Sequence, residues 1–191
     1  AFLDDHGLLP AESGEPLVNL RSEMQTFPGS PERTRAVAVE WEVVFPRRLG
    51  GLNVLSLDYV ASGVTVLLSP DGRVKRVLGL ARAVDRKSPY PLISVEEAYK
   101  RLQAGQADRV MGLWFHGARS PRFSQGLVKG VELAYVEQVS YQDQDFLQPF
   151  YVFHGTVTDL DLPESNARMP GEMEFSAYVP AVRDDYLLPA P

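Results

Sequence analysis

The segment EPLVNLRSEMQTF, Glu15 to Phe27, decides how the first half of this chain is read. Leu17, Leu20 and Met24 recur at helical intervals, and Pro16 and Pro28 stand at its two ends, where a helix tolerates proline. The spacing predicts a short helix. The next run, RAVAVEWEVVF (Arg35 to Phe45), puts Val37, Val39, Trp41, Val43 and Phe45 on one side and Ala38, Glu40 and Glu42 on the other. That period of two predicts a half-buried strand. Pro46 ends it, and RRLGGLN reads as a loop in which Gly50 and Gly51 adopt backbone angles that other residues resist. LDYVASGVTVLLS (Leu57 to Ser69), the turn Pro70-Asp71-Gly72 and RVKRVLGLAR (Arg73 to Arg82) form the clearest hairpin pattern in the chain.

After a proline-bearing connector, ISVEEAYKRLQAG begins with Ser94 and Glu97 at capping-box spacing. Val95, Ala98, Tyr99 and Leu102 share one helical face, and Gly105 is placed to stop the helix. Strand-like runs follow at Arg109 to Gly117, Leu127 to Ser140, Gln148 to Leu160 and Gly171 to Val182, separated by polar loops. A helix followed by three strands thus occurs twice, from Ser13 to Arg86 and from Ser94 to Leu160, with a further strand extending the second unit to Val182. The expected fold is α+β: antiparallel sheets with helices packed on one face, a tandem duplication of a helix-plus-three-strand unit within one globular domain over residues 1–191.

Composition limits the chemistry. At 191 residues, 45% hydrophobic and 23% charged, the chain can bury a substantial core. It has no cysteine, which removes disulfides, thiolate nucleophiles and Cys-ligated metal from this chain. A formal net charge of -6 argues against a surface that tracks nucleic-acid phosphates. No apolar run approaches the roughly 20 residues of a membrane span. The first residue is Ala1 rather than Met, which fits removal of an export signal or anchor, and membrane association is expected only through such an anchor.

Phe-His-Gly occurs twice, at Phe115 to Gly117 and at Phe153 to Gly155. Were the two strands neighbours, His116 and His154 could converge, and with a carboxylate such as Asp159 hold zinc or iron. The simpler account makes each a strand end whose imidazole is solvated or hydrogen-bonded. DQD at 143–145 and DLDLPE at 159–164 alternate oxygen ligands as calcium loops do, yet lack the glycine and the twelfth-position glutamate of an EF-hand. No Gly-x-Ser-x-Gly elbow, Walker loop or Gly-x-Gly-x-x-Gly fingerprint is present. In the loop GARSPRFSQ, Arg119, Arg122 and Phe123 combine charge with an aromatic anchor as interface hot spots do, and Arg47 with Arg48 forms a second candidate of this kind.

Several of these pieces, taken in order, resemble PepSY and related propeptide modules. FPRRLGGLNV followed by VTVLLSPDGRVKRV is similar to their strand, glycine loop and Asp-Gly hairpin; ISVEEAYKRLQAG is similar to their Ile-Ser-x-Glu-Glu-Ala helix; VELAYVEQ with LQPFYVFHG is similar to their closing hairpin. The order also resembles extracytoplasmic accessory regulators of the Gram-positive cell-wall sensor kinase. The resemblance covers Arg35 to Thr158. It implies a non-catalytic, cofactor-free module of the bacterial envelope that binds a peptidase or a sensor ectodomain. Within residues 1–191 the pattern departs from these modules in showing neither the N-terminal anchor typical of such regulators nor a peptidase domain. The alternative expectation is a small metal-dependent hydrolase using His116, His154 and nearby carboxylates.

Overall fold

In the computed structural model, Leu17–Phe27 is not a helix but an extended strand, β1. It runs antiparallel to β2 (Ser30–Pro46), from Leu17 opposite Val44 to Phe27 opposite Ser30. The physical reason lies in the partner. An isolated helix of this length is marginal in water, and Leu17, Leu20 and Met24 give it only a narrow apolar stripe. Extended, the same residues face the strongest strand pattern in the chain: Val18 lies opposite Val43, Leu20 opposite Trp41, and Arg21 opposite Glu40, with an Arg21 Nη1 to Glu40 Oε1 distance of 3.0 Å. Such cross-strand pairs outweigh differences in local propensity.

The structure describes residues 2–9, 12–27, 30–57, 62–80, 84, 88–111, 125–138, 143–162 and 167–186. Among these are ten strands, one helix of more than a single turn, α2 (Val95–Gln103), a four-residue helical turn, α1 (Phe2–Asp5), and a 3-10 turn at Asp184–Tyr186. The expected α+β duplication is therefore corrected to a mostly β chain with two sheets. Where a first helix was to open the first repeat, β1 stands instead.

The chain divides into two compact units. Unit 1 comprises residues 1–86 and 135–147. It holds a four-stranded sheet in the order β1-β2-β5-β6, with β5 (Gly63–Leu68) and β6 (Val74–Leu80) forming the predicted hairpin. The turn between them is closed by Ser69 N–H to Arg73 O and Gly72 N–H to Ser69 O, and Gly72 has φ 84°. The segment expected to be a plain loop forms a second hairpin, β3 (Arg48–Leu49) with β4 (Leu52–Ser56). Gly50 and Gly51 connect them at φ 58° and 84°, the paired positive angles that a two-residue hairpin turn demands.

A buried ion pair ties this unit together. Glu137, the last residue of β8 (Gln125–Glu137), is fully buried, and Arg47, between β2 and β3, is 7% exposed. Arg47 Nη1 donates to Glu137 Oε1, and Ser62 Oγ donates to Glu137 Oε2 at 2.7 Å. The backbone repeats the connection: Arg47 N–H bonds Ser62 O at 3.1 Å, Val54 N–H bonds Arg47 O at 3.0 Å, and Leu57 N–H bonds Glu137 O at 3.0 Å. Beside this node Gly63, at φ 114°, lies so close to the neighbouring chain that an added Cβ would sit 2.1 Å from Phe45 O. Only glycine fits there.

Unit 2 comprises residues 87–134 and 148–191. The first part of β8 lies in it beside β9 (Gln148–Leu162), β10 (Ala167–Pro180) and β7 (Arg109–Met111), in the order β8-β9-β10-β7. Helix α2 starts as predicted, with Ser94 as N-cap accepting from Glu97 N–H at 3.2 Å, and Gly105 follows its end at φ 72°. The Glu97 carboxylate takes part in an i,i+4 pair with Arg101. Ala98 of α2 joins Phe153, Val157, Phe175, Ala177 and Val179 in a buried cluster, so one face of β9 and β10 meets the helix.

The ion pair yields a direct test. Glu137→Gln leaves the Arg47 charge buried without its counter-charge and is expected to cost about 3–5 kcal/mol in chemical denaturation. The double variant Arg47→Met/Glu137→Leu, which removes both charges, is expected to recover most of that loss, whereas two additive losses would show that the charges act independently.

Candidate functional site

Cross-strand partners share a sheet face, so the register of unit 1 shows which side chains stand together. Leu20, Trp41, Leu68 and Val74 form one row across β1, β2, β5 and β6, and Val18, Val43, Val66 and Val77 form the next row on the same face. The face grades from buried to exposed. Val66 is 7% exposed, but Val18 is 61%, Leu20 49%, Trp41 39% and Val74 52% exposed. The opposite face is mixed: by register it carries Leu17, Val44, Leu67 and Leu78 beside Asn19, Glu42 and Arg76, and on it Glu40 receives both Arg21 and Lys75 at 3.0 Å. The predicted alternation holds from Trp41 to Phe45, where the apolar side is left partly open, but not before it: the bulge at Val39 sets Ala38 opposite Ser22 on the Trp41 side and Val37 opposite Glu23 on the other. Contiguous exposed apolar surface on a folded protein marks contact with a partner.

In unit 2, Glu132 of β8, His154 of β9 and Ser176 of β10 meet in a cross-strand trio. His154 Nε2 is 3.0 Å from Glu132 Oε1, and His154 Nδ1 is 3.0 Å from Ser176 Oγ. The carboxylate can only accept in its ionised form, so it fixes the proton on Nε2, and Nδ1 accepts from the Ser176 hydroxyl. The His154 side chain is 45% exposed and that of Glu132 34%. Burial, together with the nearby Glu132 charge, raises the Tyr178 hydroxyl above its ordinary range. A carboxylate, an imidazole and a hydroxyl in a line have the makings of a nucleophilic relay. However, Ser176, Ala177 and Tyr178 are paired both with β9 and with β7, which engages the backbone N–H groups that an oxyanion would require.

The question raised by Phe-His-Gly is answered at its second copy. Phe153, 2% exposed, enters the core beside α2; His154 stands on the opposite face; and Gly155 admits the backbone of β8, because an added Cβ would lie 2.1 Å from Leu127 O. Each residue of the motif thus has a packing or pairing role. Its first copy, with His116, lies outside the described residues. Among the described residues no group of three His, Asp or Glu side chains is arranged to hold a metal ion. In the DQD segment, Gln144 donates to Val136 O and Phe146 O at 3.0 Å and accepts from Gln138 N–H, knitting the loop to the strand end, while Asp143 and Asp145 are exposed.

The basic candidates divide. Arg119, Arg122 and Phe123 lie outside the described residues. Arg47 is buried in its ion pair, whereas Arg48 is exposed and donates to Gly51 O. A shallow cleft in unit 2 is lined by Ile93 and Ser94 with the charged Glu97, Arg101, Arg183, Asp184 and Asp185. Its charges are matched within the chain: Arg101 holds Asp184 at 2.7 Å and Arg183 holds Asp185 at 3.0 Å. The hydrogen bond that Arg101 donates to Asp184 raises the Arg101 pKa further, so this guanidinium stays charged.

Sequence reasoning missed the buried Glu137 and the Glu132–His154 contact. A signal for the first was present. In VELAYVEQ the alternation places Glu137 on the same side as Leu133 and Tyr135, and a charge on an apolar side calls for a buried partner. Comparison with protein-family models, with curated proteins and with solved structures finds no match to this chain.

The trio predicts a single tautomer. In nitrogen-resolved NMR of neutral His154 the proton is expected on Nε2, and Glu132→Gln is expected to mix the tautomers while changing stability by no more than about 1 kcal/mol, given the exposure of the pair. A neutral ring carrying its proton on Nδ1 would contradict the assigned hydrogen bonds.

Proposed function

We infer that this chain is a non-catalytic interaction module that binds a protein partner, a peptidase or the ectodomain of a membrane sensor, outside the bacterial cytoplasm. The single observation that carries the binding reading is the partly open apolar face of unit 1, where Val18, Leu20, Trp41 and Val74 are between 39% and 61% exposed. The class of partner is supported by the PepSY-like order of the glycine hairpin, the capped helix and the closing strands. A partner of this kind presents apolar side chains of its own, and Trp41 supplies the large aromatic anchor around which such contacts concentrate.

The reading is tested with the purified ectodomain of a peptidase or sensor encoded beside this chain, titrated by calorimetry. Trp41→Ala and Val74→Asp are each expected to weaken binding tenfold or more, about 1.4 kcal/mol or above. Arg76→Ala, on the opposite face by register with Leu67, is expected to leave binding unchanged. No binding, or binding indifferent to Trp41 and Val74, would overturn the reading. The competing hydrolase account draws on the Glu132–His154 contact and expects metal in stoichiometric amount: elemental analysis that finds such metal, lost on His154→Ala, would favour it instead.

A further inference from the structure

The two edges of the four-stranded sheet differ in kind. The outer strands are β1 and β6, and among the described residues β1 is paired on one side only, with β2. The turn before β6 holds Arg73 paired with Asp71 at 3.1 Å, and the β6 edge itself carries Lys75 and Arg76 with no acidic residue, like charges that disfavour a second copy of itself. The β1 edge carries one charge of each sign, Arg21 and Glu23, between apolar residues, and Leu17, Val18 and Leu20 on it are 56%, 61% and 49% exposed. The one register shift within its central stretch falls at Arg21/Ser22, where β2 advances from Glu40 to Ala38. The extra residue, Val39, is therefore on β2, and β1 itself is unbulged there.

An unbulged edge strand can be extended by an identical strand related by a two-fold axis perpendicular to the sheet. That axis keeps each residue on its own face, and faces alternate with residue number. Opposed residue numbers must then sum to an even value, so the axis passes through a residue. Few registers qualify. Centred on Arg21 the strand sets arginine against arginine, and centred on Glu23 it sets glutamate against glutamate. Centred on Leu20 it sets Leu17 against Glu23, and centred on Met24 it sets Arg21 against Phe27. Centred on Ser22, Arg21 stands opposite Glu23 twice, Leu20 opposite Met24, Asn19 opposite Gln25, Leu17 opposite Phe27, and the β-branched Val18 opposite the β-branched Thr26.

We propose that the β1 edge is a self-association site at which a second copy of this chain adds antiparallel, with Ser22 of the two copies facing each other across the two-fold axis. The four-stranded sheet then continues into that of the other copy. By register, Met24 of one copy continues the row of Leu20, Trp41, Leu68 and Val74 in the other, and Arg21 meets Glu23 of the second copy on the face that already holds Glu40. The proposal concerns a second copy and stands independently of the envelope partner proposed above.

The chain has no cysteine, which gives a clean test. Opposed residues in an antiparallel pair have Cα atoms about 4.5–5.5 Å apart, within disulfide reach. Ser22→Cys is therefore expected to oxidise rapidly to a covalent dimer. Asn19→Cys, whose two copies stand about 20 Å apart in this register, is expected to do so slowly or not at all. In sedimentation, wild type is expected to dimerise reversibly, and Glu23→Arg, which sets arginine against arginine, to remain monomeric with an unchanged melting curve. Equal oxidation of the Ser22→Cys and Asn19→Cys proteins, or a wild type that stays monomeric up to its solubility limit, would overturn the proposal. Partner binding that depends on Trp41 and Val74 in such a monomer would leave the interaction reading standing while this one falls.

Discussion

A carboxylate that is fully withdrawn from water has to be neutralised where it stands, and in unit 1 that requirement fixes the positions of three otherwise separate segments. Glu137 draws in Arg47 from the end of β2 and Ser62 from the start of β5. Burying an ion pair contributes little net stability, because desolvation offsets most of the attraction, but it penalises every arrangement that separates the partners. The backbone bonds Arg47 to Ser62, Val54 to Arg47 and Leu57 to Glu137 show what the penalty secures: a single register among β2, β4, β5 and the end of β8. Gly63 carries the geometric side of the same constraint, since its neighbour approaches too closely for any side chain.

The exposed apolar face depends on that register. A one-residue slip of β2 against β5 would turn Trp41 and Val43 to the opposite side and bring Glu40 and Glu42 round in their place. The node at Arg47 and Glu137 lies at one end of these strands, and the row of Leu20, Trp41, Leu68 and Val74 crosses them further along. Structure and function are linked at this point: buried charge sets the pairing, pairing sorts the side chains by face, and the apolar face is what a partner would meet. In unit 2 the sheet uses its two sides differently. One packs Phe153, Phe175 and Val179 with Ala98 of α2, and the other carries the His154 trio.

Much of this was legible in the residues. The alternation in RAVAVEWEVVF gave the sidedness of β2 from Trp41 to Phe45 but not the bulge at Val39 that reverses Val37 and Ala38; Pro-Asp-Gly gave the β5–β6 turn, and Ser94 with Gly105 gave both ends of α2. The failure at Glu15 to Phe27 has a definite cause. Three apolar residues at helical spacing satisfied a helical template, but Val18, Thr26 and Phe27 favour a strand, and Pro28, read as a helix end, opens a Pro-Gly pair that in the sequence is equally a turn signal. The preference was settled by β2, which is distant information for any local pattern. The same limit hid the site. Nothing in the spacing of Arg47, Ser62 and Glu137 announces that they meet, because a strand pattern specifies which face a residue takes and not which strand lies beside it. Arg47 looked like a surface cation for that reason, and the β3–β4 hairpin was hidden in a stretch too short to show alternation.

Native-state hydrogen exchange tests the central claim most directly. If the buried ion pair governs the register of unit 1, the amides of Arg47, Val54 and Leu57, which bond Ser62, Arg47 and Glu137, exchange together in the slowest class, and Glu137→Gln moves all three to faster exchange as a group. Independent exchange of these amides at separate rates, or protection that persists unchanged in the Glu137→Gln protein, would contradict it.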